Sequence, residues 1–181
     1  MDNLIKDIVK PESGIEEAII ADPDFTRGAE YGKPRPGHPE GQVIYHIKDV
    51  LANIYKYYRD DEDYEDLRMI AIIHDTFKYK VDQTKPKAGE NHHGMIARRF
   101  AEKYTKNNRI LKIIELHDEA YNAWQKGERR GDWYGATSRA KKLISVLLEL
   151  DGLDMYLKFY KCDNATGDKS SDNYMWFESL T

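Results

Sequence analysis

The sequence predicts an all-α fold, a single helical bundle, and three observations carry that prediction. Apolar residues recur at helical spacing in five separate stretches between Gln42 and Tyr160. No segment of alternating apolar and polar residues, the mark of a half-buried strand, stands out. The 181 residues are 40% hydrophobic and 33% charged, a globular composition long enough for one sizeable core.

The elements follow in order. From Asp22 to Gly41, "DPDFTRGAEYGKPRPGHPEG" is rich in Pro and Gly and reads as an irregular loop. "QVIYHIKDVLANIYKYY" places Val43, Ile47, Val50, Ile54 and Tyr58 on one stripe of a helix. "YEDLRMIAIIHDTFKY" continues the pattern through Leu67, Ile70, Ala71 and His74. "HHGMIARRFAEKY" aligns His92, Ile96, Phe100 and Tyr104. "NNRILKIIELHDEAYNAW" reads as one helix capped by Asn107 or Asn108, with Ile110, Ile114, His117 and Tyr121 in line. A linker, "QKGERRGDWYGATS", ends in a Thr/Ser cap. After it, "RAKKLISVLLELDGLDMYLKFY" reads as the last long helix, with Ala140, Ile144, Leu147 and Asp151 on one face. The tail, residues 161–181, is polar and then aromatic, and its rings are expected to pack back on the bundle.

Composition excludes several function classes. Net charge is −4 with no basic block, which argues against broad electrostatic capture of nucleic acid. The single cysteine excludes an internal disulfide framework and suits a reducing cytoplasm. Acids interrupt the apolar residues of "MDNLIKDIVK", unlike a signal peptide, and no apolar run approaches the roughly 20 residues of a membrane span. The expectation is one cytoplasmic domain over residues 1–181 with no membrane partner. "RDDEDYED" lacks the glycine and spacing of a calcium loop and reads as a solvated turn.

Polar groups interrupt the apolar stripes at His46, at the His74–Asp75 doublet, at His117 and at Asp151, with His92 heading its own stripe. A carboxylate among Leu147, Leu148 and Leu150 needs a cation or several donors. Imidazoles and carboxylates on several helices that bury their apolar faces together are the ingredients of a metal site.

These residues resemble a known family. His46, then His74–Asp75, then Asp151 match the H…HD…D signature of the HD-domain metal-dependent phosphohydrolases, over about residues 38–156. "NHHGMIA" resembles the family's additional histidine and points to His92, with His93 as the alternative. "IIELHDEA" resembles a further element and points to His117. Together they resemble the six-ligand variant, which implies one or two divalent ions of Mn, Fe, Mg, Ni or Zn. In that reading Asp75 bridges both ions; His46, His74 and Asp151 serve one, and His92 and His117 the other. Lys78 matches the HDxxK form and is expected to contact phosphate rather than to act as a glutamate would. "GHPEGQVIYH" is similar to the HD region of bacterial tRNA nucleotidyltransferases, whose nucleotidyltransferase head is missing from this chain.

The implied activity is hydrolysis of a small phosphate ester, a nucleotide foremost, by water that a metal acidifies. Catalytic roles fall to Asp75 and Lys78, and substrate contacts to Lys78, His93, Arg27 and Arg35. Lys33 is a further cation of the same loop, His38 lines the pocket mouth or bonds within the loop, and Asp154 orients a ligand histidine or faces solvent. Tyrosine clusters offer stacking surface or helix packing. Two other classes stay open: a di-iron oxygenase with the same six ligands, and a non-catalytic module binding a nucleotide or RNA.

Overall fold

The computed structural model of the chain describes residues 2–34, 39 and 41–181. Among these residues every regular element is helical, as the period-3.6 stretches predict. Three short helices come first: α1 (Asp2–Val9), α2 (Gly14–Ile20) and α3 (Pro23–Ala29). The stretch expected to be irregular from Asp22 therefore opens with a helix. Asp22 caps it by accepting from the Asp24 amide at 2.9 Å, and Pro23 occupies the first turn, where an amide proton is dispensable. Read alone, "DPD" marks a turn; here it starts a helix.

Next come α4 (Val43–Tyr58) and α5 (Tyr64–Ile73), which form the heart of the bundle. All seven residues from Leu67 to Ile73 are buried, so α5 is covered on every side in its second half. Arg68 belongs to that buried run, and its guanidinium is held by Glu16 at 2.8 Å and Glu12 at 2.9 Å. The pair ties the N-terminal segment to α5, satisfying a charge that would be costly alone. A 3-10 turn over Thr76–Lys80 follows. Gly28 of α3 rests directly on that turn; a Cβ there would collide with the Thr76 carbonyl.

The remaining helices are α6 (His93–Ala101), α7 (Asn108–Leu116), α8 (Glu119–Arg130), α9 (Trp133–Glu149), α10 (Leu153–Asn164) and α11 (Asp172–Glu178). Asn107 caps α7, accepting from the Arg109 amide at 3.0 Å. The expected single helix over 107–124 breaks at His117–Asp118. The linker is shorter than the glycines suggest: only Gly131, at φ 69, interrupts the chain, and Asp132 rather than a Thr/Ser pair caps α9.

The expected last long helix also divides. Leu150–Gly152 closes α9 in a Schellman turn, with the Gly152 amide donating to Leu147 O at 2.8 Å and the Asp151 amide to Leu148 O at 3.1 Å. Asp151 takes the left-handed position of that turn at φ 51. The aromatic tail does pack back: Phe177 is buried against Tyr156 and Tyr160, at ring separations of 5.7 and 6.0 Å.

Candidate metal centre

Two histidines reach the centre through the same local arrangement. His74 ends α5 and His117 ends α7, each followed by an aspartate. The last turn of a helix leaves carbonyls without partners. His74 Nδ1 lies 2.9 Å from Ala71 O, and His117 Nδ1 lies 2.9 Å from Ile114 O. A carbonyl can only accept, so each Nδ1 carries a proton and each Nε2 faces the centre, with a lone pair when the ring is neutral. Thr166 does the same for His46. Its hydroxyl donates to Asp163 O at 2.8 Å and so accepts from His46 Nδ1 at 3.3 Å.

These ring nitrogens converge, joined by His93. His46 Nε2 and His74 Nε2 stand 3.2 Å apart, and His93 Nε2 and His117 Nε2 stand 3.1 Å apart. Asp75 lies between the two pairs. Its Oδ2 is 3.7 Å from both His46 and His74, while its Oδ1 is 3.3 Å from His117 and 3.5 Å from His93. Oδ1 is buried with no hydrogen-bond donor among the described residues. Ring nitrogens crowded in pairs beside an orphaned carboxylate oxygen are unfavourable unless a cation lies among them. Four imidazoles, carboxylates and no thiolate suit a borderline or hard divalent ion, so the residues present fit the metal that the resemblance implies. The groupings His46–His74–Asp75 and Asp75–His93–His117 each bring three donor atoms within 4.8 Å of one another.

Electrostatics follow from this crowding. Burial holds His74 down to about 3, keeping the ring neutral. Burial also lowers His93. His117 goes the other way: burial opposes its charge, but Asp75, 3.3 Å away, and Asp118 beside it raise its value. Burial alone would lift the Asp75 carboxyl, yet Lys78 and the histidines bring it well below the usual carboxylate range. Asp163 behaves alike, with Lys169 and His46 outweighing burial.

The structure redistributes several expected ligands. Asp151 is exposed in its left-handed turn at the start of α10, and its predicted place on a buried stripe fails because α9 ends before it. The carboxylate beside the histidines is instead Asp163, at the other end of α10. Its Oδ1 lies 3.0 Å from His46 Nε2 and 3.9 Å from His74 Nε2. A sequence signal for it existed: Tyr156, Tyr160 and Asp163 continue one helical stripe past Tyr160.

His92 is not in the inner group. It caps α6, its Nδ1 accepting from the Gly94 amide at 3.2 Å, which leaves Nε2 protonated and turned toward Asp118 at 3.4 Å. His93, assigned to substrate, occupies the position expected of His92. A cap residue must face the helix start, and the next residue turns inward.

Lys78 hydrogen-bonds Asp75 Oδ2 and lines the two cavities that open on the centre, of about 310 and 820 Å³. Arg27 is exposed on α3; Tyr31 and Lys33 line the larger cavity on that side. Arg35 and His38 lie outside the described residues. Asp154 pairs with Lys158 at 2.8 Å and faces solvent rather than a ligand histidine. Tyr156 supports the site from behind, its hydroxyl 3.1 Å from His117 O. Phe159 packs edge-on to His74 at 5.1 Å.

A family model described as HD domain matches residues 43–150, more than half of the chain. No match is found among curated proteins or among solved structures. No helix of the described residues is long and apolar enough to cross a membrane.

Proposed function

The chain belongs to the HD domain family, whose members are generally metal-dependent phosphohydrolases, and from that premise we propose that it hydrolyses a phosphate ester, a nucleotide foremost. The observation that carries the reading is Asp75, one carboxylate with a facing imidazole pair at each oxygen. His46, His74, Asp163 and Asp75 Oδ2 would hold one divalent ion, and His93, His117 and Asp75 Oδ1 a second. Ions held there supply acidified water and neutralise charge growing on phosphoryl oxygens.

The chain's own side chains do the rest. The Ala71, Ile114 and Thr166 oxygens keep the ring protons on Nδ1, so the rings cannot turn away from the centre. Phe159 and Tyr156 close the rear of the site to water. Lys78, steered by Asp75, meets a non-bridging phosphate oxygen from the cavity side. Tyr121 and Asn122 line the smaller cavity beyond it and offer stacking and amide contacts to the organic part of the substrate.

Elemental analysis of purified protein, followed by phosphate release from nucleotide mono-, di- and triphosphates with Mn, Fe, Mg, Ni and Zn, tests the proposal. Bound divalent metal and release from at least one nucleotide are expected. Metal-loaded protein that releases no phosphate from any of them would overturn it. The same carboxylate between two imidazole pairs also favours a second reading, a di-iron oxygenase. Iron retained through purification, with a mixed-valence signal on partial reduction and no phosphate release, would select that reading.

A further inference from the structure

We propose that Lys169 is a second phosphate-binding residue, closing with Lys78 on the terminal phosphoryl group of a phosphomonoester; the inference rests on the phosphohydrolase reading above. Lys169 stands in the connection between α10 and α11, outside every motif read from the sequence. Its Nζ is 3.3 Å from Asp163 Oδ1 and 3.0 Å from Asp163 O. Lys78 holds the same relation to Asp75. The two ammoniums, both carboxylates, His93 and His117 all line the cavity of about 310 Å³.

The connection that carries Lys169 is fixed rather than loose. Asn164 donates to Ser170 O at 3.0 Å. Asn173 donates to Asn164 Oδ1 and to the Tyr160 hydroxyl, both at 2.8 Å. Both amides are buried, and a buried amide is tolerated only when it is bonded in this way. Between them Thr166 bonds to His46, so one short segment orients a ligand ring and aims a cation at the same cavity.

Charge then indicates the substrate. Two divalent ions and two ammoniums would exceed Asp75, Asp118 and Asp163, the three acids on the cavity. A phosphomonoester, whose second ionisation falls near pH 6, carries close to two negative charges at pH 7, whereas a diester carries one. The surplus therefore favours the monoester.

The test uses the full chain loaded with metal, as wild type, Lys169→Gln and Lys169→Arg. Calorimetry with inorganic phosphate is the first arm; the second compares kcat/KM for p-nitrophenyl phosphate and bis(p-nitrophenyl) phosphate. Lys169→Gln should keep its metal and bind phosphate about tenfold or more weakly, the loss of one charge-assisted hydrogen bond. Its kcat/KM should fall about as much on the monoester and by less than about threefold on the diester. Lys169→Arg should restore most of both. Unchanged phosphate affinity, equal losses on the two esters, or loss of metal in Lys169→Gln would each overturn the proposal, the last by reducing Lys169 to a counter-ion of Asp163. A wild type that hydrolyses no ester would remove the phosphohydrolase reading instead, and the calorimetric arm would still decide whether Lys169 binds phosphate.

Discussion

His46, His74 and Asp163 meet Asp75 at one end of its carboxylate, and His93 and His117 meet it at the other, yet the two ends are held differently. At the first, His46 comes from the middle of α4 and His74 from the fully covered end of α5. Their side chains are 5% and 1% exposed, and Thr166 and Ala71 fix both rings. At the second, His93 is the first residue of α6, follows the cap, and borders the cavities with Asp118 and His92 nearby. His117 is as covered and as fixed as His74, so the inner half, at His46 and His74, differs from the outer chiefly at His93, whose side chain is 14% exposed against 5% for His46. An ion bound by pre-positioned donors costs less ordering and exchanges more slowly, so the inner half should retain metal when the outer has lost it.

The largest effect should come from the residue that the halves share. Asp75→Ala is expected to abolish metal uptake at both and to lower phosphate release on the order of 10²–10³-fold or more; full metal content by elemental analysis would break the two-ended picture. One step smaller, His93→Ala should halve the bound metal and leave the inner ion, whereas His74→Ala should remove the tighter one. Titration with a chelator reads this directly, two phases in the wild type becoming one in His93→Ala. A single phase in the wild type would erase the distinction.

A support behind the inner half should cost less. Thr166→Val removes the acceptor from His46 Nδ1 and is expected to weaken inner-site affinity about 10–100-fold with the outer site unchanged.

Protonation separates the halves again. His74 lies below its ordinary value of 6.5, so the stability linked to its neutral form is present above about pH 6.5 and is lost as pH falls toward about 3. His117 lies above its ordinary value, so its contribution is full below about pH 6.5 and is lost as pH rises through the raised value. Metal entering the outer half must expel that proton. Calorimetric metal titrations near pH 6.5, in two buffers of different ionisation enthalpy, should show more proton released by wild type than by His117→Ala. The smallest effect is a control: Asp151→Gly relieves a left-handed residue and should leave metal content unchanged while stabilising the fold by no more than about 1 kcal/mol.

The sequence displayed most of this centre because a polar group on an apolar stripe is conspicuous. His46, His74, Asp75 and His117 needed only the period. What stayed hidden depends on where helices stop. Extending the last helix straight through "LDG" carried Asp151 onto the buried face and left Asp163 in a polar tail. A glycine after an aspartate is equally a sign of the Schellman turn that turns Asp151 out. His92 and His93 are adjacent, and which one faces in is set by which one caps. Lys169 carried no periodic signal, since its position follows from two asparagines that fold one connection onto the helix end.

Gly28 and the α10–α11 connection both lie outside residues 43–150, the span that matches the family model. The turn bearing Asp75 and Lys78 is seated on a helix that precedes that span, and the carboxylate beside His46 follows it. A fragment cut to the homologous boundaries would therefore keep the recognisable signature while losing the floor beneath one acid and the whole of the other. Anyone grafting or trimming this scaffold should keep the whole run from α1 to α11, since Glu12 and Glu16 also hold the buried Arg68.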